Sequence, residues 1–131
     1  MIERFASGGP WEERYGYSRV VRAGDLLVTA GCTATVNGSV SALGDPSEQA
    51  RIAFRIGLDA LAGAGAAPAD VIRTRMYVTD RSYAGAVTAV HGEIFRDVRP
   101  VTALIVVAGL LHEDHLVEVE LDAYVGGKER A

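Results

Sequence analysis

Val117-Glu118-Val119-Glu120-Leu121-Asp122-Ala123-Tyr124-Val125 alternates apolar and polar residues without a break. A β-strand needs this period-two spacing when one of its faces is buried and the other is not. The stretch predicts a strand in a sheet with one covered face, and it sets Glu118, Glu120 and Asp122 together on the opposite face. Working back along the chain, residues 101–108 are almost wholly apolar and predict a second strand. Residues 71–78 predict a third, with Ile72, Thr74, Met76 and Val78 on one side and Val71, Arg73, Arg75 and Tyr77 on the other.

Two helices separate these strands from the N-terminal part. Asp45 caps the first, Pro46 suits its first turn, and Glu48 can complete a capping box. Ala50, Ala53, Phe54, Gly57, Leu58 and Leu61 then fall on one helical face, and Gly63, Gly65 and Pro68 end the run. Ser82 is the expected cap of the second helix, whose stripe is Tyr83, Ala86, Val87, Val90 and Ile94. Before the helices, residues 17–23 and 26–34 read as strands joined by a turn at Gly24-Asp25, and Asn37-Gly38 signals a further hairpin. The order is β-β-β-α-β-α-β-β, an α+β fold with a mixed sheet and two helices packed on one face. Two helices leave the other face bare, with Arg73, Arg75, Glu118 and Glu120 among its residues. A bare, half-apolar face implies burial between subunits, hence a homo-oligomer.

Composition bounds the function. The chain has 131 residues, 49% hydrophobic and 23% charged, which suits a single globular domain over residues 1–125. Residues 126–131, with the sole lysine Lys128, read as a flexible tail. No apolar run approaches the ~20 residues that span a bilayer. Met1-Ile2-Glu3-Arg4-Phe5 lacks the layout of a signal peptide, so a cytoplasmic location is expected. Cys32 is the single cysteine, which excludes an internal disulfide and a multi-thiolate metal site. A net charge of −4 argues against nucleic acid as the main partner.

The acidic row Glu118, Glu120, Asp122 has two readings: a solvated or salt-bridged face with Arg73 and Arg75 as partners, or one carboxylate in an interface pocket with a raised pKa. Cys32 reads as a small buried residue, since a reactive thiol needs a base or a positive field. His112 and His115 lack the spacing of the helical His-Glu-x-x-His signature, so no metal site is expected. His91 reads as a packed or boundary histidine. Trp11, Tyr15 and Tyr17 form an aromatic group that either packs over the sheet edge or walls a small ligand.

The residues Gly16-Tyr17-Ser18-Arg19-Val20-Val21, Gly24-Asp25-Leu26-Leu27-Val28-Thr29-Ala30-Gly31, the stretch from Asp70 to Asp80, Arg99-Pro100 and Leu116-Val117-Glu118-Val119-Glu120 together resemble the RidA/YjgF family. The resemblance implies a chorismate-mutase-like fold and a homotrimer with small-molecule pockets at its subunit interfaces. It further implies hydrolysis of enamines and imines, such as 2-aminoacrylate, to keto acids and ammonia without metal or organic cofactor. Carried over by residue, Glu118 matches the acid that positions or activates water, Tyr17 the pocket tyrosine, and Gly31 the turn whose amide faces the ligand. Cys32 follows Gly31 and is placed with the lining. Thr88 and Leu104 take positions often held by Asn and by a small or thiol-bearing residue. Thr102 stands where deaminating members carry an arginine two residues after the proline, and Arg99 precedes that proline instead. Loss of the carboxylate clamp removes a contact worth ~1.5–3 kcal/mol. This departure implies a less polar pocket for a neutral or aromatic ligand, counts against deaminase activity, and makes a non-catalytic ligand-binding trimer the alternative. The ribonuclease or translation-inhibitor label of some relatives is opposed by the net charge.

Overall fold

The computed structural model describes residues 1–127. The strands are β1 (Ile2–Phe5), β2 (Val20–Ala23), β3 (Leu26–Thr29), β4 (Cys32–Thr33), β5 (Thr35–Val36), β6 (Ser39–Val40), β7 (Val71–Val78), β8 (Val101–Val106) and β9 (Val117–Tyr124). The helices are α1 (Pro10–Tyr15), α2 (Pro46–Gly63) and α3 (Ala84–Phe95). The main sheet runs β1-β2-β3-β9-β7-β8, with β4 also paired to β9, and β5–β6 make a separate hairpin. The β7–β8 pair is parallel, with α3 as its crossover, and the other pairs are antiparallel. This is the expected α+β, chorismate-mutase-like architecture.

Helix α2 forms where its signals lie. Asp45 accepts a hydrogen bond from the Glu48 N–H at 3.0 Å, and Pro46 follows at the first helical position. Its buried positions include Ala50, Ala53, Phe54, Gly57 and Leu61. Beyond its C-terminus, Arg22 donates to the Ala64 carbonyl at 3.0 Å, placing a cation at the negative end of the helix dipole. The Phe54 and Phe95 rings meet edge-on at 5.5 Å and join α2 to α3. Under them lie Met76, Val78, Val117, Val119 and Leu121, all buried.

Several boundaries differ from the sequence reading. β1 and α1 were not foreseen: β1 is four residues with two charges, and α1 is six residues behind a glycine cap. The strand expected over 26–34 is two strands. Val28 pairs with Asp122 and Cys32 with Val119, so this side carries one residue more than β9 and bulges at Ala30-Gly31. A register shift between Val71 and Arg73 reverses the expected phase of β7 at its start: Val71 is buried and Ile72 exposed. From Thr74 onward the alternation holds. The second helix begins at Ala84, after a single 3₁₀ turn over Arg81–Tyr83. Asp80 caps that turn by accepting from the Ser82 N–H, so Asp80 is the capping residue and Ser82 is not. Of the expected tail, residues 128–131 lie outside the described residues.

The sheet face away from α2 and α3 is uncovered within the chain. Its exposed apolar residues include Leu26, Ile72, Val101, Ile105 and Tyr124. The two sheet edges contrast. β1 carries Glu3 and Arg4, whereas β8, Val-Thr-Ala-Leu-Ile-Val, carries no charge.

Candidate functional site

The bulge after β3 brings Gly31 against Glu118. A methyl group at position 31 would stand 2.9 Å from the Glu118 carboxyl, so a larger residue there would force that side chain out of its present position. Glu118 is half-buried, and burial first, then the neighbouring Glu120 charge, pushes its carboxyl above the ordinary carboxylate range, against the pull of Arg19. Arg19 ties this corner together. Its Nη1 donates to the Gly31 carbonyl at 2.6 Å, its Nε lies 3.5 Å from Glu12, and its guanidinium sits 5.8 Å from the centre of the Tyr17 ring. Tyr17 borders an open hollow of about 560 Å³ on the uncovered face, together with Val21, Val28 and Ala30.

The rest of the acidic row is occupied. Arg75 Nη1 lies 3.5 Å from Glu120 and 3.9 Å from Asp122, and the Tyr77 hydroxyl donates to Glu120 at 2.5 Å. The salt-bridged reading thus holds for Glu120 and Asp122, through Arg75. Among the described residues Glu118 has no such salt bridge, and it is the carboxylate with the raised pKa.

The sequence-derived residues separate into two groups. Glu118 aligns across the strands with Tyr77 and Ile105, on the uncovered face, where Gly31 and Tyr17 also lie. Thr102 and Leu104 align with Thr74 and Met76, on the helix side. Thr88 is exposed on α3, where its hydroxyl donates to the Ala84 carbonyl at 2.7 Å. Within one chain, therefore, Thr102 and Leu104 point to the face opposite Glu118. The expected lining role of Cys32 meets a physical obstacle. Its side chain is 1% exposed and packs toward Gly57 of α2, because β4 alternates and Gly31 takes the outward place. Burial pushes the Cys32 thiol up, so it is a packed core residue of this chain, as its isolation from bases suggested.

Four residues organise these groups through contacts the sequence did not show. Arg19 and Tyr77 serve the uncovered face. On the other side, the Thr74 hydroxyl lies 2.8 Å from His91 Nε2 and donates to Thr102 Oγ1 at 2.6 Å. His91 also meets the Phe54 and Phe95 rings at 5.8 and 4.8 Å. Thr74 was legible as a polar residue on the covered face of β7, and His91 as the packed or boundary histidine that its ring contacts make it; the roles of Arg19 and Tyr77 carried no local signal. Among the described residues no group of three His, Cys, Asp or Glu is placed to hold a metal ion, and no helix is long and apolar enough to cross a membrane.

A chorismate-mutase-like sheet whose polar residues divide between its two faces places this chain in a class of small α+β proteins. The model of the family described as Endoribonuclease L-PSP matches residues 11–125, and the chain belongs to that family, the YjgF/RidA family. It is 42% identical over 125 residues to the uncharacterized protein SCO2049 of Streptomyces coelicolor, covering 95% of this chain and 93% of that one. The crystal structure of Rv2704 from Mycobacterium tuberculosis, a member of the YjgF/YER057c/UK114 family, superposes with a TM-score of 0.86 at 43% identity, over 95% of this chain and 100% of that one. The fold is shared with PA3499 from Pseudomonas aeruginosa, a protein of unknown function, at 24% identity and a TM-score of 0.84, over 96% and 94% of the two chains.

Proposed function

We propose that this protein processes imine- or enamine-type metabolites at pockets formed between copies of the chain, in a homotrimer, with Glu118 moving the proton. The observation that carries this reading is Glu118 itself: half-buried, set against the Gly31 backbone, facing Arg19, and held above the usual carboxylate range. A carboxyl with such a pKa can donate a proton to an enamine carbon or imine nitrogen and then take one from water. The net reaction joins one water to the C=N bond and releases a carbonyl compound and ammonia. The two groups of residues suit an interface, because the face of one copy bearing Tyr17, Gly31 and Glu118 can meet the β8 edge of another bearing Thr102, Leu104 and Thr88. Assembly would also cover the apolar residues of the bare sheet face.

The test is release of keto acid and ammonia from freshly generated amino-acid imines, wild type beside Glu118→Ala. Acceleration by wild type alone supports the reading, and no acceleration on any imine removes it. A second reading, a non-catalytic ligand-binding trimer, is favoured by Thr102, which supplies a neutral hydroxyl where deaminating relatives place a cation. It predicts saturable binding without turnover. The ribonuclease label is opposed by the net charge of −4, and a salt-dependent RNA titration that shows no binding would dispose of it.

A further inference from the structure

The hydroxyl of Thr102 has a fixed direction. Thr74 is fully buried, so no solvent competes for its hydroxyl. It gives its proton to Thr102 Oγ1 at 2.6 Å and therefore accepts from His91, whose Nε2 carries the ring proton across 2.8 Å. The His91 ring is held between Phe54 and Phe95. Thr102 is exposed at the β8 edge, and with its oxygen already accepting from Thr74, its own proton is left for whatever lies beyond the edge.

We propose that His91 and Thr74 are positioning residues that present Thr102 as a hydrogen-bond donor, and that this donor selects a neutral carbonyl acceptor, an amide or ester, over a carboxylate. The inference rests on the small-molecule pocket proposed above and names its ligand class. A carboxylate drawn from water needs a counter-charge to offset its desolvation. β8 offers none, since Thr102 shares its face with Leu104 and Val106, and Arg19 on the facing Tyr17–Gly31–Glu118 corner is already engaged by Glu12 and the Gly31 carbonyl. The ionisable residues of α3 are His91 and Glu93, and Glu93 is held by Arg51 at 3.0 Å. A neutral carbonyl needs only the donor.

The test is equilibrium binding of two near-isosteric probes, pyruvamide and pyruvate, read from backbone amide shifts in the two-dimensional NMR spectrum of the intact protein. Wild type is expected to bind pyruvamide more tightly. Thr102→Val and Thr74→Val should each weaken pyruvamide binding by about threefold to tenfold, the span of one net hydrogen bond, with pyruvate unchanged. Thr74→Ser, which restores the hydroxyl, should recover the affinity. The nitrogen shifts of His91 should report the Nε2-protonated tautomer in wild type and move in Thr74→Val even without a probe. Tighter binding of pyruvate, failure of both probes to bind wild type, or a Thr74→Val protein that binds pyruvamide as wild type does would each overturn the proposal. No turnover is required, so these outcomes are independent of the imine assay. Rapid hydrolysis of imines with a strict carboxylate requirement would overturn this inference and leave the reaction standing.

Discussion

The two faces of β9 are built from one alternating stretch and have opposite fates. Val117, Val119, Leu121 and Ala123 are completely buried under α2 and its neighbours. Glu118, Glu120 and Asp122, one residue away in each case, remain partly exposed beside Leu26, Ile105 and other uncovered apolar groups. One face is finished inside the chain. The other leaves a half-buried carboxylate with a raised pKa, and folding alone gives no reason to keep it there. The contrast separates what stabilises the molecule from what equips it.

Substitutions on the two faces should therefore differ in size and kind. The largest effect is expected at Phe54, whose ring joins α2, α3 and His91. Phe54→Ala should cost ~3–5 kcal/mol in urea unfolding. A loss below ~1 kcal/mol would mean the covered face is not the seat of stability. Gly57→Ala comes next. Its methyl would stand 2.5 Å from Cδ1 of the fully buried Leu121. The overpacking cost of ~1–3 kcal/mol should outweigh the ~1 kcal/mol gain in helix propensity, and a stabilised variant would show that α2 can shift on the sheet. On the uncovered face, Arg75→Ala breaks contacts with Glu120 and Asp122 that are open to solvent. It should cost no more than ~1 kcal/mol by the same unfolding measurement.

The smallest and most diagnostic effect concerns pH. Because the folded-state pKa of Glu118 is raised, its favourable contribution is complete below the unfolded-state value and is lost as pH rises through the folded one. Glu118→Gln should therefore be more stable than wild type at neutral pH, with the difference shrinking as pH falls through the raised folded-state value and gone below the ordinary carboxylate value of 4.5. Paired melting curves at neutral and acidic pH would show it, and a variant less stable than wild type at neutral pH would contradict it. Gain of stability together with loss of imine hydrolysis is the pattern of a group retained for function.

How legible was this in the sequence? α2 was readable because Asp45, Pro46 and the spacing of its apolar residues agree, and β9 because its alternation is unbroken. The phase at the start of β7 was not, because nothing about Ile72 marks the register shift that turns Val71 inward. Nor did Gly31 reveal by itself that it interrupts a strand. β1 and α1 are short and are held by tertiary ties rather than local signals: β1 by its pairing with β2, α1 by the bonds of buried Glu12 to Ser7 and Arg19. At the candidate site, the resemblance drew attention to Glu118 and Gly31, and their contact required the bulge to be seen. Thr102 was singled out for the residue it replaces. That it is tied to His91 is a matter of tertiary packing, since Thr74, His91 and Thr102 lie on three separate elements.

The uncharged edge strand has a consequence for handling the protein. A solitary chain presents Val101-Thr102-Ala103-Leu104-Ile105-Val106 as a strand with free backbone donors and acceptors and no gatekeeping charge. Such an edge is a template for further strands. The opposite edge, guarded by Glu3 and Arg4, is not. If the proposed assembly covers this edge, a damaged interface would show as turbidity at high protein concentration, so clarity of the solution becomes a crude gauge of whether the edge has found its cover.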